Sequence, residues 1–379
     1  MKNKLKIGIV CYPTYGGSGV VATELGLALA KKGNEIHFIS YKQPVRLDFL
    51  SKKIFFHQVY VPDYPLFKFQ PYELALSSKL VDVVMNFKID ILHVHYAIPH
   101  AYAAYMAKKM LEGNSVNLPV VTTLHGTDIT LVGNHPFYKN AVKFSINNSD
   151  YVTAVSNSLK VQTENIFNTK KKIEVIPNFV DFSKHQLHNK NCNRDLIASN
   201  EKKIISHVSN FRPVKRVLDV VKIFEQVRKK IPSKLIMVGD GPDRIKAENY
   251  CMKMGFINDV NFLGNTEMIY EILCYSDLFL LPSEAESFGL AALEAMMMEV
   301  PVISTNVGGI PELNKDKETG FLFNIGDIDG MSKKSIEILS NDGQLKKLKT
   351  LARLNASKFK IEDVVEMYLS VYKKTLKST

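Results

Sequence analysis

Short apolar runs of strand length alternate with longer stretches of helical periodicity, and the series occurs twice along the chain. In the first series, Leu5-Lys6-Ile7-Gly8-Ile9-Val10-Cys11-Tyr12 reads as a buried strand, and a glycine loop leads into a helical pattern from Val20 to Lys32 that Gly33-Asn34 closes. Strand patterns at Phe55 to Val61, Ile89 to His95, Val120 to Leu124, Tyr151 to Ser156 and Ile173 to Asn178 follow, with helices over Tyr72 to Phe87 and after Pro99. The second series runs through strands at Lys203 to Ser209, Lys234 to Gly239, Asn261 to Gly264, Asp277 to Leu281 and Val300 to Ser304, with a helix near Val217 to Lys230. Strands separated by helices must cross over and pair in parallel, so the fold class is α/β with doubly wound sheets. Ligands of such sheets bind at the carboxyl ends of the strands. With 379 residues, two domains are expected. The polar segment from Phe182 to Glu201 lacks periodicity and reads as the linker between them. A metal site from His185, His188 and Cys192 is conceivable there on residue type, but a solvated linker is the stronger account.

The net charge of +11 admits nucleic acid, an anionic membrane surface or anionic small substrates as partners. The lysines are spread out, with only short clusters such as Lys170-Lys171-Lys172, and no aromatic-basic module of a nucleic-acid type occurs. A lysine-rich solvated surface is therefore expected, with no nucleic-acid partner. No apolar run is long enough to cross a bilayer and the N-terminus enters a strand pattern at once, so a cytoplasmic chain without stable membrane insertion is expected. Cys11, Cys192, Cys251 and Cys274 lack metal-ligand or C-x-x-C spacing, and buried reduced thiols are expected.

Three loops at strand ends carry the chemistry. After the apolar run Asp277 to Pro282 comes Ser283-Glu284-Ala285-Glu286-Ser287-Phe288-Gly289-Leu290, which opens a helix containing Glu294. A helix start offers unpaired N–H groups to a phosphate, whereas two carboxylates suit hydroxyl groups; a nucleotide-sugar presents both. On residue type alone, Glu286 as a dipole cap and Glu294 on a solvated face fit equally well. Asn210-Phe211-Arg212-Pro213-Val214-Lys215-Arg216 puts cations at another strand end. Gly17-Ser18-Gly19-Val20-Val21-Ala22 fits the dinucleotide pattern G-x-G-x-x-A, but the next strand ends in Ser40-Tyr41-Lys42 without the acidic residue that holds an adenosine ribose. The loop is better read as a close backbone approach to an anion, either a diphosphate or an acceptor carboxylate. Asp327-Ile328-Asp329 follows Gly326 and precedes a helical pattern, so it reads as an N-cap rather than a metal motif. No metal and no cofactor are expected.

Glu286 and Glu294, with seven residues between them, resemble the E-x7-E motif of the retaining glycosyltransferases of family 4, and Gly308-Gly309-Ile310-Pro311-Glu312 resembles that family's G-G-x-P-E element. The resemblance implies the GT-B architecture: two Rossmann-like domains facing a central cleft, with a C-terminal helix crossing back to the N-terminal domain. The corresponding bounds are residues 1–180 for the acceptor domain, 181–201 for the linker, 202–355 for the donor domain and 356–379 for the last helix. It implies that Glu286 contacts the donor sugar and Glu294 the ribose. Ser287, Phe288, Gly289 and Leu290 then border the sugar and diphosphate, and Gly17, Asn210 and Gly239 also lie beside the donor. Arg212 and Lys215 resemble the pair that holds the diphosphate, with Arg216 able to share the role of Lys215. His125 resembles the histidine near the reactive carbon, so His125, Arg212, Lys215 and Glu286 form the implied catalytic set.

The stretches Cys11 to Gly26, His93 to Ala101 and Thr123 to Thr130 resemble the branch of the family that opens bacillithiol biosynthesis. That implies UDP-N-acetylglucosamine as donor and L-malate as acceptor. A small dicarboxylate needs a cation and several hydrogen-bond donors, for which Arg46, Ser18, Tyr96 and Thr127 are candidates, although Arg46 as surface charge and Tyr96 as packing fit the residue types too. Other open readings are a lipid or glycan acceptor, a UDP-sugar epimerase of the same architecture, and a non-enzymatic binding protein. The oligomeric state, a homo-oligomer included, is not readable from the chain.

Overall fold

The structure is a computed structural model that describes residues 4–47, 51–63, 68–184, 194 and 202–378. The chain divides into two compact units, the first made of Met1–Asn178 with Ile361–Thr379 and the second of Phe179–Lys360.

The first unit is built on seven strands: β1 (Lys6–Val10), β2 (Glu35–Ser40), β3 (Ile54–Gln58), β4 (Ile91–His95), β5 (Val120–Leu124), β6 (Tyr151–Ala154) and β7 (Ile173–Val175). Every pairing is parallel, in the order β3-β2-β1-β4-β5-β6-β7. Residues of β1, β4 and β5 are buried almost throughout, as expected where helices cover both faces of a parallel sheet. The crossovers include α1 (Gly17–Lys31), α2 (Tyr72–Phe87), α3 (Tyr102–Glu112), α4 (Pro136–Asn148) and α5 (Asn157–Phe167). Strand order reverses between β1 and β4. The loops leaving those two strands therefore diverge to opposite faces and open a crevice at the carboxyl edge.

The second unit repeats the plan with β8 (Lys203–Val208), β9 (Ser233–Val238), β10 (Val260–Gly264), β11 (Leu278–Leu281), β12 (Val302–Thr305) and β13 (Gly320–Phe323), in the parallel order β10-β9-β8-β11-β12-β13. Its helices are α6 (Val217–Arg228), α7 (Arg244–Lys253), α8 (Ile269–Tyr275), α9 (Leu290–Met297), α10 (Ile310–Leu313), α11 (Ile328–Leu339) and α12 (Asp342–Ala356). Here the order reverses between β8 and β11. The loops leaving these strands are the Asn210–Arg216 and Ser283–Gly289 segments.

The last helix, α13 (Ile361–Ser378), belongs to the first unit. Its buried residues Ile361, Val364, Val365, Tyr368, Val371, Tyr372 and Thr375 recur at helical spacing and form one stripe. Lys32 at the end of α1 pairs with Glu366 at 2.7 Å, and the Tyr372 hydroxyl meets His93 Nδ1 of β4 at 2.8 Å.

Asp327 accepts from the Gly330 N–H at the start of α11, the capping role its spacing suggests. Among the described residues no group of three or more His, Cys, Asp or Glu is placed to hold a metal. His185, His188 and Cys192 lie outside the described residues. Cys11 and Cys251 are free and buried, but Cys274 is disulfide-bonded, which corrects the expectation of four reduced thiols. Pairing depends on how closely two side chains approach in the fold, and spacing along the chain does not report that. No helix among the described residues is long and apolar enough to cross a membrane.

Candidate active site

In the second unit the two loops at the switch point are joined. Phe211 is fully buried and anchors the first loop, while Asn210 and Arg212 beside it are exposed. The Glu284 N–H donates to the Val214 carbonyl at 2.8 Å, and Lys215 Nζ lies 2.6 Å from Glu286 Oε1. The Ser283 hydroxyl donates to the same carboxylate oxygen at 2.8 Å. The Arg216 guanidinium is held by Asp219 and Glu284, each at 2.6 Å. Arg212 makes no ion pair within 4.0 Å among the described residues, so the loop presents one exposed uncompensated cation beside a cation–carboxylate pair.

The Gly308-Gly309 turn supports the second loop from behind. The Gly309 N–H donates to the Glu286 carbonyl at 2.8 Å. A Cβ on Gly308, whose φ is +54°, would stand 1.9 Å from the Glu286 carbonyl oxygen, and one on Gly309 would stand 2.2 Å from that of Ser287. Only glycine permits this approach. Gly289 sits at the N-cap of α9 with φ +93°, Phe288 is buried, and Leu290 begins the helix. Glu294 lies within α9, 5% exposed, with the Tyr270 hydroxyl 3.4 Å from its Oε1. Gly239 ends β9 with φ +121° and packs against Ser209 of the first loop. The seven-residue spacing thus puts Glu286 in the loop and Glu294 in the helix that follows it.

In the first unit, α1 starts at Gly17 behind Gly16, an N-cap that supplies no side-chain bond. A Cβ on Gly19 would meet the Thr14 and Tyr12 carbonyl oxygens at 2.5 and 2.6 Å, so the loop folds tightly on itself. The Ser18 and Tyr96 hydroxyls lie 2.7 Å apart, joining the loops after β1 and β4 across the switch point. Tyr96 holds φ +87°, with its N–H bonded to Thr123 at 2.9 Å and its ring centroid 5.2 Å from that of His125. His125 follows β5 and Thr127 lies two residues on, at the start of a helical turn. Asp128 accepts from the N–H groups of Ala97, Gly126 and His125 and so locks the two loops; burial raises its pKa to about 6 despite these bonds. Arg46 is mostly buried with φ +63° and lies 3.6 Å from Glu24 of α1.

The sequence did not single out His93, His100, Glu24 or Tyr372. His93 Nε2 meets the Thr123 hydroxyl at 2.7 Å, and His95 Nδ1 meets His125 Nε2 at 2.8 Å. Burial depresses all of these imidazoles: His93 and His125 to about 3, His100 to about 4, and His95 well below 6.5. The signal was present in Leu92-His93-Val94-His95, where alternation places both histidines on one face of the strand.

Residues 15–184 match the family model described as Glycosyltransferase Family 4, and residues 190–355 match Glycosyl transferases group 1. The chain is 44% identical over 374 residues to N-acetyl-alpha-D-glucosaminyl L-malate synthase of Bacillus anthracis, covering 97% of each chain. The chain belongs to glycosyltransferase family 4. This family 4 glycosyltransferase is also 26% identical over 315 residues to 2-deoxystreptamine N-acetyl-D-glucosaminyltransferase of Niallia circulans, covering 76% of this chain and 78% of the relative. Among solved structures, Anabaena Alr3699/HepE in complex with UDP-glucose superposes with a TM-score of 0.80 at 20% identity, covering 99% of this chain and 100% of that one. The two parallel sheets of the glycosyltransferase are the two Rossmann-like halves of the GT-B fold.

Proposed function

We propose that the enzyme transfers N-acetylglucosamine, with retention, from UDP-N-acetylglucosamine to the hydroxyl of L-malate, without a metal or cofactor. The observation that carries this reading is the end-to-end identity with the Bacillus anthracis synthase, 44% across 97% of both chains. The geometry supplies chemistry that fits it. Arg212 and Lys215 face the diphosphate with Asn210 beside them, and their charge offsets what accumulates on the leaving oxygen as the glycosidic bond breaks. Glu286, held by Lys215 and Ser283, accepts from the sugar hydroxyls, while Glu294 accepts from the ribose. Backbone N–H groups from Ser287 to Leu290 and at Gly17 border the sugar and diphosphate, and Gly239 gives the nucleotide a close backbone approach. Arg216, occupied by Asp219 and Glu284, shapes the loop.

The acceptor is read by the first unit, with Ser18, Tyr96 and Thr127 supplying hydrogen bonds and Arg46 charge. The departing diphosphate oxygen takes the proton of the attacking hydroxyl on the same face, which accounts for retention without a separate base. Bacillithiol biosynthesis is the pathway this product would enter.

The test incubates the enzyme with UDP-N-acetylglucosamine, with and without L-malate and with EDTA, and follows products by mass spectrometry. Malate-dependent UDP release with a conjugate of N-acetylglucosaminyl-malate mass is expected, unchanged by EDTA. Equal UDP release without malate would favour epimerase or hydrolytic chemistry. Turnover only with a lipid or glycan would move the acceptor assignment. Arg46→Ala should raise the malate KM more than the donor KM.

A further inference from the structure

The contact between His95 and His125 constrains where a proton sits. Register pairs His95 of β4 with Thr123 of β5, and period-two alternation brings His93, His95, Thr123 and His125 onto one face. His95 is anchored on its main chain, because His100 Nδ1 donates to its carbonyl at 2.5 Å, and its ring stacks on His93 with centroids 4.5 Å apart. At 2.8 Å, His95 Nδ1 and His125 Nε2 share one proton.

Two arrangements satisfy that bond. If His125 Nε2 carries the proton, neutral His95 must carry its own on Nε2, an atom that is buried with no hydrogen-bond partner among the described residues. That would be an orphaned buried donor, which folded proteins rarely tolerate. If His95 carries its proton on Nδ1, it donates to His125 Nε2, and the buried His95 Nε2 is left with only a lone pair. The second arrangement spares the enclosed His95 Nε2 an unpaired N–H, and His125 Nδ1 is not among the fully enclosed unpartnered atoms. It also obliges neutral His125 to carry its proton on Nδ1, which makes no hydrogen bond within the described residues; the residue keeps 9% exposure.

We propose that His95 is a positioning residue that fixes His125 as the Nδ1–H tautomer, so that its free nitrogen offers a neutral hydrogen-bond donor to a substrate oxygen. This rests on the reading that His125 faces the donor sugar. The choice of a histidine as partner has a physical reason. A carboxylate bonded to His125 would stabilise the imidazolium. Positive charge develops on the sugar carbon as the diphosphate departs, and an adjacent imidazolium would oppose it. A neutral imidazole partner holds the ring in place and adds no charge. Burial independently keeps both rings neutral through the ordinary working range.

The test reads the tautomer first and turnover second. Two-bond proton–nitrogen correlation spectra of the whole 15N-histidine-labelled, ligand-free enzyme, with His125 assigned from the His125→Gln spectrum, should show its proton on Nδ1. His95→Asn, whose side-chain amide can donate in place of Nδ1, should keep that pattern and hold kcat within about fivefold. His95→Asp should move the proton to Nε2 or charge the ring, and lower kcat by about 10–100-fold with the donor KM little changed. A His125 proton on Nε2 in the unsubstituted enzyme overturns the proposal even if His95→Asp does not fold. So does wild-type kcat in a folded His95→Asp whose His125 tautomer has moved. If the unsubstituted enzyme makes no malate conjugate while the spectrum shows Nδ1–H, the function reading fails and the positioning of His125 stands.

Discussion

Gly308 and Gly255 allow the support behind the Glu286 loop to be measured by difference. Both hold left-handed backbone, with φ +54° and +73°. A Cβ on Gly255 meets nothing within 4 Å, whereas one on Gly308 stands 1.9 Å from the Glu286 carbonyl oxygen and 3.0 Å from its carbon. Left-handed conformation costs a non-glycine residue about 1–2 kcal/mol, and this cost is common to both alanine variants. Gly308→Ala adds a collision with main chain, for which overpacking penalties of about 1–3 kcal/mol apply. The second unit should then lose roughly 2–5 kcal/mol in Gly308→Ala but only roughly 1–2 kcal/mol in Gly255→Ala. At about 2–4 °C per kcal/mol for a domain of this size, calorimetry should separate the two melting transitions by roughly 2–12 °C. The carbonyl that must move belongs to Glu286, so Gly308→Ala should also raise the donor KM or lower kcat by about tenfold while Gly255→Ala matches the unsubstituted enzyme. Equal melting shifts, or unchanged donor kinetics in Gly308→Ala, would refute the claim that this turn holds the Glu286 loop.

Lys215→Gln should lower kcat/KM for the donor by about 10²–10³, while Arg216→Gln, which breaks pairs to Asp219 and Glu284, should lower it far less; similar losses in steady-state assays would reverse the assignment. In the first unit His37, His57, His93, His95, His100 and His125 all have pKa values lowered mainly by burial, whereas the second has His207 alone among its described histidines. Unfolded histidines take up protons below pH about 6.5 that these folded ones refuse, so unfolding is favoured as pH falls from 7 to 5, by up to about 1.4 kcal/mol per pH unit for each. The calorimetric transition of the first unit should therefore fall further than that of the second, and equal shifts would contradict the burial argument. Tyr372→Phe removes the hydroxyl bonded to His93 and should destabilise the first unit by about 1–3 kcal/mol, read by denaturant titration; no change would mean that the bond contributes nothing net.

The periodic parts of the fold were legible because buried strands and amphipathic helices write their periods into the chain. Leu278–Leu281, for example, is apolar throughout and lies in the sheet centre. Gly320–Phe323 was not legible: four residues opening on glycine carry too little pattern to mark the edge strand β13. The Glu286 and Lys215 loops were legible as candidates, since each follows a strand, but their direct pairing depends on β8 lying beside β11, a matter of strand order. The histidine face was written in His93 and His95, yet its meaning needed the register of β4 on β5 and the return of α13. The disulfide at Cys274 had no local mark at all.

The same topological crevice carries different polar groups in the two units, and Glu24 offers a way to test why. In the second unit the switch point presents the exposed Arg212 beside the Lys215–Glu286 pair, fitting a diphosphate. In the first it presents neutral histidines and hydroxyls, and its cation Arg46 stands 3.6 Å from Glu24, the two side chains 11% and 12% exposed. A malate carboxylate approaching Arg46 would compete with a carboxylate already there. If the two compete, Glu24→Gln removes one carboxylate charge from beside the guanidinium, and a partly screened pair worth about 0.5–1 kcal/mol converts to a malate KM lowered by about two- to fivefold, with the donor KM unchanged. If Glu24 instead aims Arg46, the same substitution raises the malate KM. Steady-state kinetics in malate at saturating donor decide between them, and a rise would show that the Arg46 charge in the first unit is held in place rather than held in check.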